Sequence, residues 1–209
     1  MPTERFLRLP DHKKEAIQNA AIEEFARVPF EKASINKIIQ HANISRGSFY
    51  TYFEDKQDVL SYIFDRVHQK ANEFMEETLT ANGGDYFATW ELFLDFTLSM
   101  FENKKFFDLA KNTQPCFRGE QAFFGPPHGL REAELEEARR LSRLVNLDQL
   151  KIDGMEEFKV LNSLLLSNLA VALVTFYQGD MNLEHLKSRY RIGIEFLKRG
   201  ALSDEADRS

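Results

Sequence analysis

One cysteine, Cys116, stands in 209 residues. No disulfide can close within such a chain, which excludes a disulfide-stapled fold and suits a reducing compartment. Six prolines and ten glycines are few for a protein built of tight turns, and no apolar–polar alternation runs beyond four residues, so little is left for β-strands. Long apolar runs are missing too. Leu164 to Tyr177 is the longest; Ser167 and Asn168 interrupt it, and it is shorter than the ~20 residues a spanning helix needs. MPTERFLRLPDHKK at the start has no apolar stretch of signal-peptide length. The expectation is a soluble cytoplasmic protein that does not enter a membrane. Catalytic patterns are equally scarce. The five histidines (12, 41, 68, 128, 185) are scattered, with no HExxH, no metal-spaced pair, no Gly-rich phosphate loop and no GxSxG. An enzyme is therefore not expected, and nothing calls for a metal or cofactor.

What is present is helix. Hydrophobic residues make up 43% of the chain, and nineteen are Phe. Asp11 to Val28 carries Ile17, Ala21, Phe25 and Val28 on one face, with Asp11 as N-cap and Pro29 as stop. A short segment follows from Ser34, with Ile35, Ile38, Ile39 and Ala42 on one side. Asn43 is a turn or left-handed residue. Ser45 caps a third segment with Phe49 and Phe53 inward, and Asp55 a long fourth, whose stripe is Leu60, Ile63, Phe64, Val67, Ala71, Phe74 and Thr78. Asn82-Gly83-Gly84 ends it. Further helices are expected over Phe87–Phe101, Lys104–Asn112, Leu130–Leu147, Met155–Tyr177 and Leu183–Arg199, with a loop over Pro115–Gly129 and a polar tail. The fold class is all-α, about nine helices: a helix-turn-helix head over 1–56, a helical body over 57–203 with 57–80 as linking helix, and a tail over 204–209.

Charge divides unevenly. Residues 1–60 hold nine basic and nine acidic side chains, whereas the rest holds 18 and 24, so the whole net charge of −6 lies in the body. Only the head would face an anionic partner. Three short helices with a tight link between the second and third form a helix-turn-helix. Ile35, Ile38, Ile39, Ile44 and Phe49 can share a core with Ile17, Ala21 and Phe25. That leaves Arg46, Gly47, Ser48, Tyr50, Thr51 and Tyr52 facing outward. Arg46 can fork onto guanine O6 and N7 or a phosphate. Gly47 lets the helix lie close to DNA, and the hydroxyls can donate to phosphate oxygens. Lys56 lies in the first turn of the next helix, where free N–H groups favour an anion.

Residues 13–64 resemble the DNA-binding domain of the tetracycline-repressor (TetR) family, through KKEAIQNAAIEEFA, FEKASINKIIQHANIS and above all RGSFYTYFEDKQDVL. The chain departs from the family at VPFEKAS, where Pro29 replaces a usual glycine. The resemblance implies a dimeric, ligand-responsive repressor on an inverted-repeat DNA operator. It implies that Ser34 caps the second helix and reaches a phosphate, that Arg46 and Ser48 read base edges, and that Tyr50, Tyr52 and Lys56 clamp the backbone. Lys37 is a phosphate candidate, Thr51 a candidate for either role, and Ser45 the cap. The alternative is a protein–protein adaptor that kept the fold and lost DNA binding.

A dimer has to be encoded in the body. Met155–Tyr177 is apolar nearly all round between Leu164 and Val174 and needs cover on both sides. Leu183–Arg199 can lie antiparallel to it, with Gly193 permitting close approach. Two such pairs would make a four-helix interface, as in the family. The middle section is unusually aromatic. Trp90, Phe93, Phe107 and Phe117 are candidates for lining an effector pocket that suits a lipophilic or aromatic small molecule. The stripe from Leu60 to Thr78 suggests a rigid lever by which such an effector would reset the spacing of two heads, which bind well about one DNA turn (~34–36 Å) apart.

Overall fold

The computed structural model describes residues 1–100, 104–113 and 139–201. The expected loop over Pro115–Gly129, Cys116, Phe101, Phe117, Phe123, Phe124, most of the expected Leu130–Leu147 helix and the polar tail lie outside them. The described elements are helical, in the order α1 (Glu4–Leu7), α2 (Asp11–Arg27), α3 (Ile35–His41), α4 (Arg46–Tyr52), α5 (Lys56–Ala81), α6 (Tyr86–Met100), α7 (Lys105–Thr113), α8 (Met155–Tyr177) and α9 (Leu183–Ala201), with 3-10 turns at Phe30–Lys32 and Leu147–Gln149. Arg139–Ser142 is helical as well, and no strand occurs among the described residues.

Two compact units form. The first takes Met1–Gln69 together with α7, and the second takes Lys70–Met100 with residues 139–201. Packing thus puts α7 with the head, although the sequence runs through α6 before reaching it. Ile17, Ala21, Phe25, Ile38, Phe49, Phe53, Leu60, Ile63 and Leu109 share one buried cluster. Asn112 Nδ2 donates to the Phe25 and Ala26 carbonyls at 3.1 and 2.7 Å, satisfying the end of α2, where helix carbonyls lack intrahelical partners. Lys105 Nζ lies 2.9 Å from Glu23 Oε1, and this ammonium holds the Glu23 carboxyl below its usual range.

Local expectations fare unevenly. Asn43 takes the left-handed conformation at φ 52°, and Ser45 Oγ accepts from Ser48 N–H at 3.0 Å as an N-cap should. Asp55 Oδ1 accepts from the N–H groups of Gln57 and Asp58, starting α5. Asp11, however, is the first helical residue, with Pro10 at the N-cap, and its carboxylate pairs with Lys14 at 2.8 Å. Ser34 occupies the N-cap of α3 without a capping side-chain bond; its N–H instead donates to Glu24 Oε1 at 2.9 Å. The α5 stripe also turns. Leu60, Ile63 and Phe64 are buried, but farther along Met75 and Leu79 take the interior in place of Phe74 and Thr78. From Leu60 to Thr78 the expected stripe keeps the 3.6-residue period of a straight helix; the change falls beyond Gln69, where α5 passes from the first unit to the second and each part buries side chains in its own unit's core.

In the second unit, α6 brings Tyr86, Phe87, Trp90 and Phe93 inward, α8 brings Phe158, Leu161, Leu165, Leu169 and Leu173, and α9 brings Leu186, Tyr190 and Ile194. Tyr190 Oη donates to the Trp90 carbonyl at 2.7 Å, and Tyr86 Oη to Asn162 Oδ1 at 2.6 Å. Two glycines set close approaches. Gly84 has φ +85°, and a Cβ there would stand 2.6 Å from the Asn146 nitrogen. A Cβ on Gly193 would stand 2.1 Å from Asn168 Oδ1; Asn168 itself donates to the Tyr190 carbonyl at 3.0 Å, so α8 and α9 meet backbone to side chain.

Candidate nucleic-acid interface

Phe49 and Phe53 are both fully buried, which orients α4 and turns Arg46, Gly47 and Tyr50 to solvent, with Ser48 and Thr51 partly covered. A buried carboxylate organises the approach to this helix. Glu24, 1% exposed, accepts two bonds from the Arg27 guanidinium at 2.9 and 2.8 Å and one from the Ser34 N–H. A charge so deep needs such partners, and the set ties α2 to the start of α3. The sequence carried a signal for it, Glu24 three residues before Arg27, that reads equally well as a surface pair.

The cleft between these elements, about 650 Å³, is lined by Ser34, Asn36, Arg46, Tyr50, Lys56 and Gln57 among others. Arg46 is held on two sides: Nη1 donates to Asn36 Oδ1 at 3.2 Å, and the guanidinium lies over the Tyr50 ring, 5.7 Å from its centre. Asn36 and Gln57 were missed in the sequence because a lone amide on a short helix has no distinguishing spacing. The Ser45 and Ser48 hydroxyls are 2.8 Å apart and share a hydrogen bond. Thr51 Oγ1 donates back to the Gly47 carbonyl at 2.9 Å. A Cβ on Gly47 would meet only Ser45 Oγ, at 3.8 Å. Among the described residues nothing therefore requires glycine there, although glycine in a helix costs about 1 kcal/mol against alanine. Lys37 is exposed on α3.

Two expected clamps sit differently. Lys56 Nζ donates to the carbonyls of Phe30, Glu31 and Ala33 at 2.7, 3.0 and 3.1 Å and lies 4.8 Å from the centre of the Phe30 ring. All three ammonium donors are engaged within the head, so Lys56 is a strut under the 3-10 turn rather than a free phosphate ligand. Tyr52 is half-buried, with its ring 6.0 Å from that of Phe6; it packs on α1, an element that went unnoticed in the sequence because four residues are too few to show a period. The aromatic pocket candidates belong to different units. Trp90 and Phe93 are in contact in the second unit, centroids 5.3 Å apart, whereas Phe107 is buried in the first and Phe117 lies outside the described residues.

Residues 17–63 match the profile of bacterial regulatory proteins of the tetR family. Residues 85–201, more than half the chain, match the tetracyclin repressor-like C-terminal domain. The chain belongs to the TetR family. As a TetR-family protein it is 30% identical over 71 residues to YhgD of Bacillus subtilis (strain 168), described as an HTH-type transcriptional regulator. The match covers 32% of this chain and only 37% of YhgD. Among solved structures it resembles SmeT, the repressor of the Stenotrophomonas maltophilia multidrug efflux pump SmeDEF, at 20% identity and a TM-score of 0.66, over 96% of this chain and 94% of SmeT. It also resembles FadR of Bacillus subtilis, solved with stearoyl-CoA, at 18% identity and a TM-score of 0.63, over 90% of this chain and 98% of FadR. At these identities the likeness is one of fold. The TetR head and C-terminal profiles together take in α3, α4, α6, α7, α8 and α9, and the first turns of α5.

Proposed function

We propose that this protein is a sequence-specific, DNA-binding transcriptional regulator of the cytoplasm, acting as a dimeric, ligand-responsive repressor on an inverted-repeat operator. One observation carries it. Helix α4 turns Arg46, Gly47 and Tyr50 outward from a core holding Phe49 and Phe53, and its arginine is fixed by Asn36 and Tyr50. A guanidinium held in place before binding loses less freedom on meeting a guanine edge or a phosphate. Arg46 and Ser48 are the base-reading candidates; Tyr50, Thr51, Ser34 and Lys37 are the candidates for the phosphate backbone. Selection of bound duplexes from a random pool tests this, with Arg46→Ala and Tyr50→Ala beside the wild type. An inverted-repeat site lost in both variants is expected; enrichment of the same site by Arg46→Ala would overturn the assignment.

The dimer reading is supported by apolar side chains without cover. Val160, Leu164 and Val171 on α8 and Ile192 and Phe196 on α9 are all about half exposed or more, Phe196 at 70%. By length and composition alone α8 could also cross a bilayer. Its Leu161, Leu165, Leu169 and Leu173 are buried in the second unit, which leaves the exposed stripe for a second copy: soluble proteins rarely show such patches without a partner.

For the effector, Trp90 is the strongest anchor. Its Nε1 is buried without a hydrogen-bond partner; the neighbouring Tyr86, with its ring edge-on at 6.3 Å, has its hydroxyl bonded to Asn162. An unmet buried donor costs about 1–3 kcal/mol. Phe93, and Phe74 stacked on Phe96 at 4.4 Å, make the surroundings aromatic. The effector class this corner would take is lipophilic or aromatic with one hydrogen-bond acceptor. Since the chain has one tryptophan, titration of Trp emission with such compounds tests it directly.

A further inference from the structure

We propose that the N-terminal segment Thr3–Arg8 is a second DNA-contacting element, placing Arg5 and Arg8 on phosphates that flank the stretch read by α4. The inference rests on the DNA-binding function above and adds to it a contact outside the helix-turn-helix.

Three observations carry it. First, the segment is fastened to the recognition helix. The Thr3 N–H donates to the Tyr52 carbonyl at 2.9 Å, the Thr3 hydroxyl donates to the Thr51 carbonyl at 2.9 Å, and Phe6, 0% exposed, is wedged among Tyr52, Phe53 and Tyr62. Second, Thr3, Glu4, Arg5 and Arg8 share one concave surface with Thr51 of α4. In helix-turn-helix docking the N-terminal end of the recognition helix meets the bases, so its C-terminal end, where α1 is tied, runs toward the flanking backbone. Third, the charges fit. Residues 1–14 hold four basic and two acidic side chains, whereas 15–60 hold five and seven; the neutral head is basic only at this end. With the Lys56 ammonium engaged by three carbonyls, the head needs other cations for phosphate. Among the described residues Arg5 is exposed and makes no ion pair. Arg8 pairs with Glu4 at 2.8 Å, but both side chains are about 80% exposed, and so open a pair exchanges readily for a phosphate.

The test uses the full chain and the duplex it enriches most from a random pool, with affinity measured across a salt series. Each phosphate neutralised contributes about 0.9 to the slope of log affinity against log salt, so one arginine in each head of a dimer contributes about 1.8. Arg5→Gln and Arg8→Gln are expected to lower the slope by that amount, with an unchanged melting temperature and the same enriched core sequence. Glu4→Gln should raise affinity. Thr3→Pro keeps every charge, suits the φ of −73° at this position and removes both Thr3 hydrogen bonds to α4, so it should weaken binding in the same direction as the arginine variants. An unchanged slope in both arginine variants, with binding still lost in Arg46→Ala, would overturn the inference and leave the regulator function standing. Full affinity in Thr3→Pro would overturn the docked placement. Failure of the wild type to enrich any duplex would overturn both.

Discussion

Replacing Lys56 by Met keeps the stem of the side chain and removes only the ammonium. Three carbonyls then lose a donor: Phe30 at 2.7 Å and Ala33 at 3.1 Å in partly buried bonds, and Glu31 at 3.0 Å in an exposed one. Hydrogen bonds to charged groups contribute about 1.5–3 kcal/mol each. Water can replace the donor at Glu31, so that bond counts for little. Phe30 is 9% exposed and Ala33 8%, so their carbonyls are only partly recovered by solvent, and the ammonium over the Phe30 ring adds about 0.5–1 kcal/mol. The expected loss is about 2–4 kcal/mol, a large share of the 5–15 kcal/mol typical of a domain. Urea unfolding followed by far-ultraviolet circular dichroism measures it, with amide exchange over 30–38 locating the damage. Trp90 belongs to the second unit, so its emission serves as an internal control that should move less. A variant as stable as the wild type to within about 0.5 kcal/mol, yet defective in DNA binding, would refute the strut and restore Lys56 as a phosphate clamp.

Other consequences can be checked alongside it. Gly47→Ala should stabilise the head by up to about 1 kcal/mol, because a Cβ there meets nothing closer than 3.8 Å and alanine is the better helix former; duplex affinity should nevertheless fall, and unchanged affinity would mean that α4 does not lie close to DNA. Phe196→Glu places a charge on a side chain 70% exposed, so folding should persist while sedimentation shows monomers in place of dimers. Burial lowers the His68 pKa below its usual value. The unfolded chain then binds more protons just below pH ~6.5, so stability is full above that value and declines as pH falls toward the depressed folded pKa. Urea midpoints at pH 7.5 and 5.5 should therefore lie closer together in His68→Gln than in the wild type.

Helices with a regular apolar face were legible: Met155–Tyr177 was read to the residue, and Leu183–Ala201 and Tyr86–Met100 nearly so. A 3.6-residue recurrence over four or more turns leaves few alternatives. Phe49 and Phe53, four apart, gave the orientation of α4 for the same reason. What escaped was chemistry that depends on distant partners. Ser34 looked like a self-sufficient cap, but a buried carboxylate ten residues earlier takes its N–H. Lys56 looked like an anion ligand because nothing local revealed three carbonyls 23 to 26 residues upstream. Tyr52 looked outward-facing because its partner, Phe6, lies in a helix too short to show a period. Seven residues of α4 can be aligned by pattern; the directions of their polar atoms depend on tertiary contacts.

The place of α7 bears on how such a protein could be rebuilt or recombined. Leu109 is fully buried in the cluster that contains Phe25 and Phe64, and Asn112 closes the end of α2. A fragment ending after the first 69 residues would therefore expose part of its own interior. A chimera that exchanges the C-terminal part at a single splice would carry a foreign counterpart of α7 against a native α2. Swaps between relatives should succeed when α2 and α7 travel together, which makes this module heritable through two junctions rather than one.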